Sequence, residues 1–216
     1  AEYIKHFYKF ELFRSPLDLT FSLMLENRFI FQVQTNQLIK KLDGFCRNDL
    51  IEDQIKKYQY TVVINNLNPY VVMHEITHMV EKETKVDLNE FMVEFKKDIE
   101  CVKANTLIKK IVTKILFQEV AVYDSNNRAS ELFARYFELY AWTQEVYPSE
   151  REYHIRISDL TKIFINTNNW IKNVLSPMIT SKIADEIKKY SNANPCIKGI
   201  SISWTKKISS LKKPKS

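Results

Sequence analysis

Glycine is nearly absent from this chain, at two residues in 216. A β-barrel or sandwich reverses direction at every strand end and uses glycine in many of those turns. Its scarcity argues against both and favours helix. Long apolar runs are missing too: no stretch approaches the roughly 20 residues of a membrane-spanning helix. Cysteine is sparse. Cys46, Cys101 and Cys196 are odd in number, far apart and never in a CxxC pair, which excludes a disulfide framework and a cysteine-based zinc site. They read as small hydrophobes. No repeat, low-complexity linker or secretory leader is visible. The chain begins with Ala1 rather than Met, and this reads as a processed form or a fragment, with the compartment left open.

What is present is ordinary for a folded chain. Hydrophobic residues make up 45% and charged residues 27%, enough for one domain with a sizeable core. The net charge of +6 is spread along the sequence. Its one local excess is the tail, "WTKKISSLKKPKS", which reads as a solvated end. The body carries no basic cluster interleaved with aromatics, so no nucleic-acid partner is expected.

Residues 1–31 are aromatic-rich and mixed, with Pro16 breaking the run. Residues 35–58 show helical spacing at Leu38, Ile39, Leu42 and Phe45, then Leu50, Ile51 and Ile55, interrupted near Gly44. "YQYTVVINN" (58–66) is β-branched and aromatic and ends in Asn-Asn, which predicts a strand. After the turn "LNPY", Pro69 stands where a helix can begin. Residues 87–118 read as helix in two pieces and 122–127 as a loop. Residues 128–147 form a strong helix, with Ser130 or a preceding Asn as its cap. Residues 159–176 read as a helix that stops before Pro177, followed by a further helix. The expected fold class is α+β, mainly helical, with at least one strand ahead of the helix that starts at Pro69.

That helix carries "VVMHEITHMVEKE" (71–83). Residues four apart differ by about 40° around a helix axis, so His74 and His78 project side by side and can each offer a ring nitrogen to one ion. Glu75 is turned away from the ion but can reach a water beside it. Two ligands and one general base are the division of labour in HExxH zinc hydrolases. With only four histidines in the chain, a random sequence of this length and composition spells the pattern about once in two hundred tries. Val71, Val72, Met79 and Val80 make much of the surrounding surface apolar, as suits a helix lining a cleft. The competing reading is a polar helix face with satisfied histidines.

A catalytic zinc usually takes three protein ligands. The extended pattern HExxHxxGxxH fails here, because Glu81 and Thr84 occupy its glycine and third histidine. Glu81 lies one turn past His78 and on a straight helix moves out of reach of an ion held by both histidines. His154 sits in "REYHIRI", which reads as loop or short strand, and is set aside. Glu131 and Glu138 in "SELFARYFELY" remain. They are seven apart and share a face, and the small Ala134 permits close approach of their helix.

"HEITH", then "SELFARYFELY" some fifty residues on, then "LTKIFINTNNWIKNVL", together resemble the catalytic domain of anthrax lethal factor and the secreted Pro-Pro endopeptidases. The likeness spans roughly 58–175. The ELFARxFE pattern also resembles metallopeptidase-like modules of large mobile-element proteins. The resemblance implies a zincin-like domain with a small sheet above the zinc helix. It implies zinc on His74, His78 and Glu131, with Glu75 as base and a peptide or protein as substrate. It places the chain outside its producing cell or inside a host cell. The family's oxyanion-stabilising tyrosine lies seven residues before its ligand glutamate. Asp124 stands there in this chain, and Tyr123, eight before, takes the role if the loop has one extra residue. Glu131 is preferred to Glu138 because it opens its helix, where a carboxylate suits the dipole. Glu138 is then expected to orient a histidine through its other nitrogen. Residues 1–57, read as an N-terminal helical part of the same domain, and 177–216, a C-terminal extension with the basic tail, have no counterpart in the family.

The leading expectation is a zinc metalloendopeptidase, with the strand at 59–65 above the cleft pairing with an extended substrate. The alternative is a zincin-like binding module that keeps the fold without turnover, favoured by the displaced tyrosine.

Overall fold

The computed structural model describes residues 7–8, 10–26, 28–33, 44–47, 59–64, 69–102, 124–125, 127–142 and 157–193, with the single positions 109, 113 and 116. The protein is mainly helical with one small sheet. Helix α1 spans Glu11–Leu25, and strands β1, β2 and β3 span Phe29–Val33, Gly44–Arg47 and Tyr60–Ile64. Helices α2 (Pro69–Thr84), α3 (Leu88–Val102) and α4 (Arg128–Trp142) follow. The chain then forms α5 (Ile157–Ile163), α6 (Ile165–Trp170), a wide π turn (Ile171–Leu175) and α7 (Ser176–Ala193).

The sheet has the order β1-β3-β2. β1 runs parallel to β3, with Phe29 opposite Tyr60 and Val33 opposite Ile64. β2 runs antiparallel to β3, with Gly44 opposite Ile64 and Arg47 opposite Thr61. Every residue of β3 is buried, as befits a central strand covered by helices. The sheet packs on α2 through β2 and β3.

This arrangement corrects the expectation that the 59–65 strand pairs with substrate. Both of its hydrogen-bonding sides are taken, one by β1 and one by β2, so no further strand can add to it.

Three local expectations are also overturned. Pro16 does not break the first segment but lies inside α1. Its missing N–H costs one ladder bond, whereas α1 buries Phe13, Leu17, Leu19 and Leu23 in the core. The Thr20 hydroxyl also donates to the Pro16 carbonyl at 2.9 Å. Around Gly44 the chain is strand rather than interrupted helix. Pairing with β3 decides its state, and short helical spacing is a weak signal against such tertiary pairing. The helix expected to stop before Pro177 instead continues into α7. The wide turn over Ile171–Leu175 ends two residues before the proline, where a missing N–H and a ring clash would otherwise break the ladder. The expected helical piece over 103–118, the 143–156 turn and the basic tail lie largely or wholly outside the described residues.

The helices share one core. Phe91, Phe95, Phe133, Tyr136, Phe137, Phe164 and Trp170 form a buried aromatic lattice joining α3, α4 and α6. Asp98, buried on α3, ties α6 to it. It accepts from the backbone N–H of Asn166 (3.1 Å) and Thr167 (2.7 Å) and from the Thr167 hydroxyl (2.7 Å), which caps that helix start. Leu17 and Leu23 of α1 and Ile179 and Ile183 of α7 join the same cluster. None of the described helices is long and apolar enough to cross a membrane.

Candidate metal centre

The site lies between α2 and α4, which make the most extensive contact between any two described elements. Ala134 on α4 is fully buried, and a residue with no bulk beyond Cβ lets two helix backbones come close. On α2, Thr77 is buried where a smaller residue would be easier to fit. Its hydroxyl donates to the Met73 carbonyl at 2.7 Å, so the polar group is satisfied within the helix. Asn127 immediately precedes α4, and its carbonyl accepts from the Glu131 N–H at 3.0 Å. Asn127 therefore holds the cap position, while its side-chain amide donates to Asp124 Oδ2 at 3.3 Å. Early residues of α2 meet late residues of α4, as in His74 with Glu138, and late ones meet early ones, as in Glu81 with Ser130. The two helices therefore run antiparallel.

His74, His78 and Glu131 are brought together. Their ligand atoms all lie within 4.8 Å of one another, and among the described residues they are the one such group of His, Cys, Asp and Glu. The two Nε2 atoms are 3.1 Å apart. Glu131 faces both, with Oε2 3.4 Å from His74 Nε2 and Oε1 3.5 Å from His78 Nε2. A tetrahedral ion with ligands at about 2.0–2.1 Å sets neighbouring ligand atoms about 3.3–3.4 Å apart. The distance between the two rings and the distance from each carboxylate oxygen to the ring it faces lie near that spacing, with Oε2 turned to His74 and Oε1 to His78.

The outer ring nitrogens are engaged as well. His74 Nδ1 lies 3.1 Å from Glu138 Oε2, and the same oxygen accepts from Arg135 Nη1 at 2.7 Å. His78 Nδ1 lies 3.2 Å from the Ser130 hydroxyl. That hydroxyl donates to Glu81 Oε2 at 2.5 Å, which is itself 3.6 Å from His78 Nδ1. A carboxylate only accepts. The partners thus assign the proton of each neutral ring to Nδ1, leaving lone pairs on both Nε2 atoms. Inside the triangle only acceptors then face one another: two ring nitrogens and a carboxylate. Glu131 Oε2 is buried without a hydrogen-bond partner, 3.4 Å from His74 Nε2. Such a set is stable around a cation, whether a proton or a metal ion.

The titration behaviour agrees. Burial pushes the His74 ring down, but the carboxylates of Glu131 and Glu138 on its two sides favour the protonated ring, outweigh burial and raise it to about 9. His78 is likewise lowered by burial and raised overall by Glu131 and Glu81. Burial alone would lift the Glu131 carboxyl, yet the two histidines hold it well below the usual carboxylate range. Glu75, 5% exposed, moves the other way. Burial raises its carboxyl, against the lowering charges of His74 and His78.

Tyr123 and His154 lie outside the described residues. Asp124, seven residues before Glu131, is exposed and accepts from the Asn127 N–H at 3.0 Å. Sequence reasoning missed Ser130 and Arg135 as neighbours of the site. It treated Glu81 only as a possible ligand, whereas its carboxylate lies on the outer side of His78. The signal was available in the spacing: Glu81 is three residues past His78 and therefore beside it on the helix.

No protein-family model matches the chain, and no curated protein and no solved structure matches it.

Proposed function

We propose that the chain is a zinc-dependent metalloendopeptidase in which His74, His78 and Glu131 hold the ion. The observation that carries this reading is the acceptor-only triangle, with each histidine's remaining nitrogen fixed from outside. Two imidazoles and one carboxylate are the protein donor set of a catalytic rather than a closed four-ligand structural zinc site. A bound divalent ion supplies a Lewis acid that polarises a carbonyl and makes water more acidic.

The remaining work falls to the chain. Glu75 takes a proton at its carboxylate and returns it to the leaving nitrogen. Burial raises its carboxyl, the direction that makes it a stronger base than a free glutamate. Glu138, clamped by Arg135, keeps the His74 ring in the tautomer whose Nε2 lone pair faces inward. The class of substrate, a peptide, is carried by the resemblance of "HEITH" and "SELFARYFELY". The zincin-like identity of the fold rests on the same residues together with a sheet packed on the motif helix.

A second reading, a zincin-like module that binds without turnover, is favoured by the exposed Asp124 at the tyrosine position. A peptide-library assay with and without a chelator, run beside metal analysis, separates the two. Chelator-sensitive cleavage supports the enzyme. Stoichiometric zinc with no cleavage across the library supports the binding module.

A further inference from the structure

The two histidines are held from outside in different ways. His74 is bound directly by a carboxylate. His78 is bound through a hydroxyl, and the hydroxyl is bound by a carboxylate. We infer that Ser130 and Glu81 form a relay that positions His78, fixing its ring orientation and tautomer so that Nε2 faces Glu131. This rests on the metal site proposed above.

The geometry supplies the argument. Ser130 is the residue before Glu131 and so enters the site with it at the first turn of α4. Its oxygen lies 3.2 Å from His78 Nδ1 and 2.5 Å from Glu81 Oε2. A hydroxyl has one proton. Glu81, as a carboxylate, can only accept it, so Ser130 is left to accept from the His78 Nδ1–H. The direct His78–Glu81 distance of 3.6 Å is too long for a hydrogen bond, which makes the hydroxyl the connecting atom. The side chains of Glu81 and His78 are 20% and 12% exposed, so water competes only weakly for these contacts. The relay also joins the two helices, because Glu81 and His78 come from α2 and Ser130 from α4. A change at either end therefore alters the angle of one ligand, not only the stability of one helix.

The test is zinc affinity of the full chain, measured by competition with a chromophoric chelator, in Ser130→Ala, Ser130→Thr, Glu81→Gln and Glu131→Ala. Thermal melts of the metal-free proteins serve as a separate readout. Loss of a group that orients a metal-binding histidine typically costs 10–100-fold in affinity. Ser130→Ala is expected to weaken zinc by about that factor with little change in the metal-free melt. Ser130→Thr, which keeps the hydroxyl, is expected to restore affinity to within a few-fold. Glu81→Gln still accepts the serine proton but lacks the charge, and is expected to weaken zinc by less than Ser130→Ala. A merely structural serine would shift the melt and leave the affinity alone. If Ser130→Ala and Glu81→Gln both bind zinc within twofold of the parent while Glu131→Ala loses it, the relay is wrong and the metal site stands. Should Ser130→Ala not fold, parent-like affinity of Glu81→Gln overturns the relay by itself. If the parent binds no zinc, or if Glu131→Ala binds it like the parent, the metal site fails and the relay with it.

Discussion

Glu138 Oε2 is shared between His74 Nδ1 at 3.1 Å and Arg135 Nη1 at 2.7 Å. One carboxylate oxygen thus holds a histidine of α2 and an arginine of its own helix. Glu138 lies seven residues beyond Glu131, about 10 Å along the helix axis, and it contacts the outer nitrogen of His74 rather than the inner one. Glu138→Ala is therefore expected to retain zinc in metal analysis while its affinity falls about 10–100-fold. A loss of zinc as complete as in a ligand variant would move Glu138 into the ligand set.

Glu75→Gln separates binding from turnover. The amide keeps the size of the side chain and is not among the three converging groups. Zinc content is expected to match the parent, and kcat on a cleaved peptide to fall by about 10²–10⁴. Full activity would remove Glu75 as the base.

The metal-free protein should be most stable on the acid side of neutrality. His74 rises from its ordinary value near 6.5 to about 9 on folding, so the proton it holds stabilises the fold. That contribution is fully present below about 6.5 and is lost as pH rises through 9, with a slope of at most about 1.4 kcal/mol per pH unit. Zinc replaces the proton, so the loaded protein should lose this dependence. Melting temperatures between pH 6.5 and 9, with and without zinc, check it. A metal-free curve that is flat or rises across this window would contradict the assignment.

A second buried charge cluster fixes the far end of α2. Arg28 reaches Glu83 at 2.8 Å and Glu186 at 3.0 Å, and Lys182 reaches Glu83 at 3.2 Å. The Tyr60 hydroxyl donates to Glu83 at 2.8 Å. Arg28→Met leaves two buried carboxylates short of a cation. It is expected to cost about 2–3 kcal/mol in urea unfolding, below the full range for a broken buried pair because the arginine is 26% exposed. Glu83 lies five residues past His78, about 140° around the helix, so zinc affinity in the folded variant should be unchanged.

The helix that carries the motif was legible because its signals agree: a proline at the start, apolar spacing, and a β-branched strand just before it. The structure starts α2 at Pro69 and spans β3 over Tyr60–Ile64. The pairing of Glu131 and Glu138 on one face followed from helix period alone. β2 was not legible, because four residues around Gly44 owe their strand state to pairing with β3 rather than to their own pattern. Nor were α1 through Pro16 and the passage into α7 at Pro177, since burial and a widened turn outweigh the local penalty of proline. Glu81 and Arg135 lie three residues from His78 and Glu138 on their own helices, a spacing that the sequence does show, whereas Ser130 meets His78 only because two helices face each other, and a single helix's periodicity carries no information about that.

Zinc stoichiometry and affinity in Glu131→Ala, set beside His78→Ala and Glu138→Ala, test the central claim most directly. The parent is expected to hold one zinc per chain, Glu131→Ala and His78→Ala to lose it, and Glu138→Ala to keep it with weakened affinity. Zinc bound by Glu131→Ala as tightly as by the parent, with Glu138→Ala devoid of it, would contradict the account and place the third ligand two turns along α4.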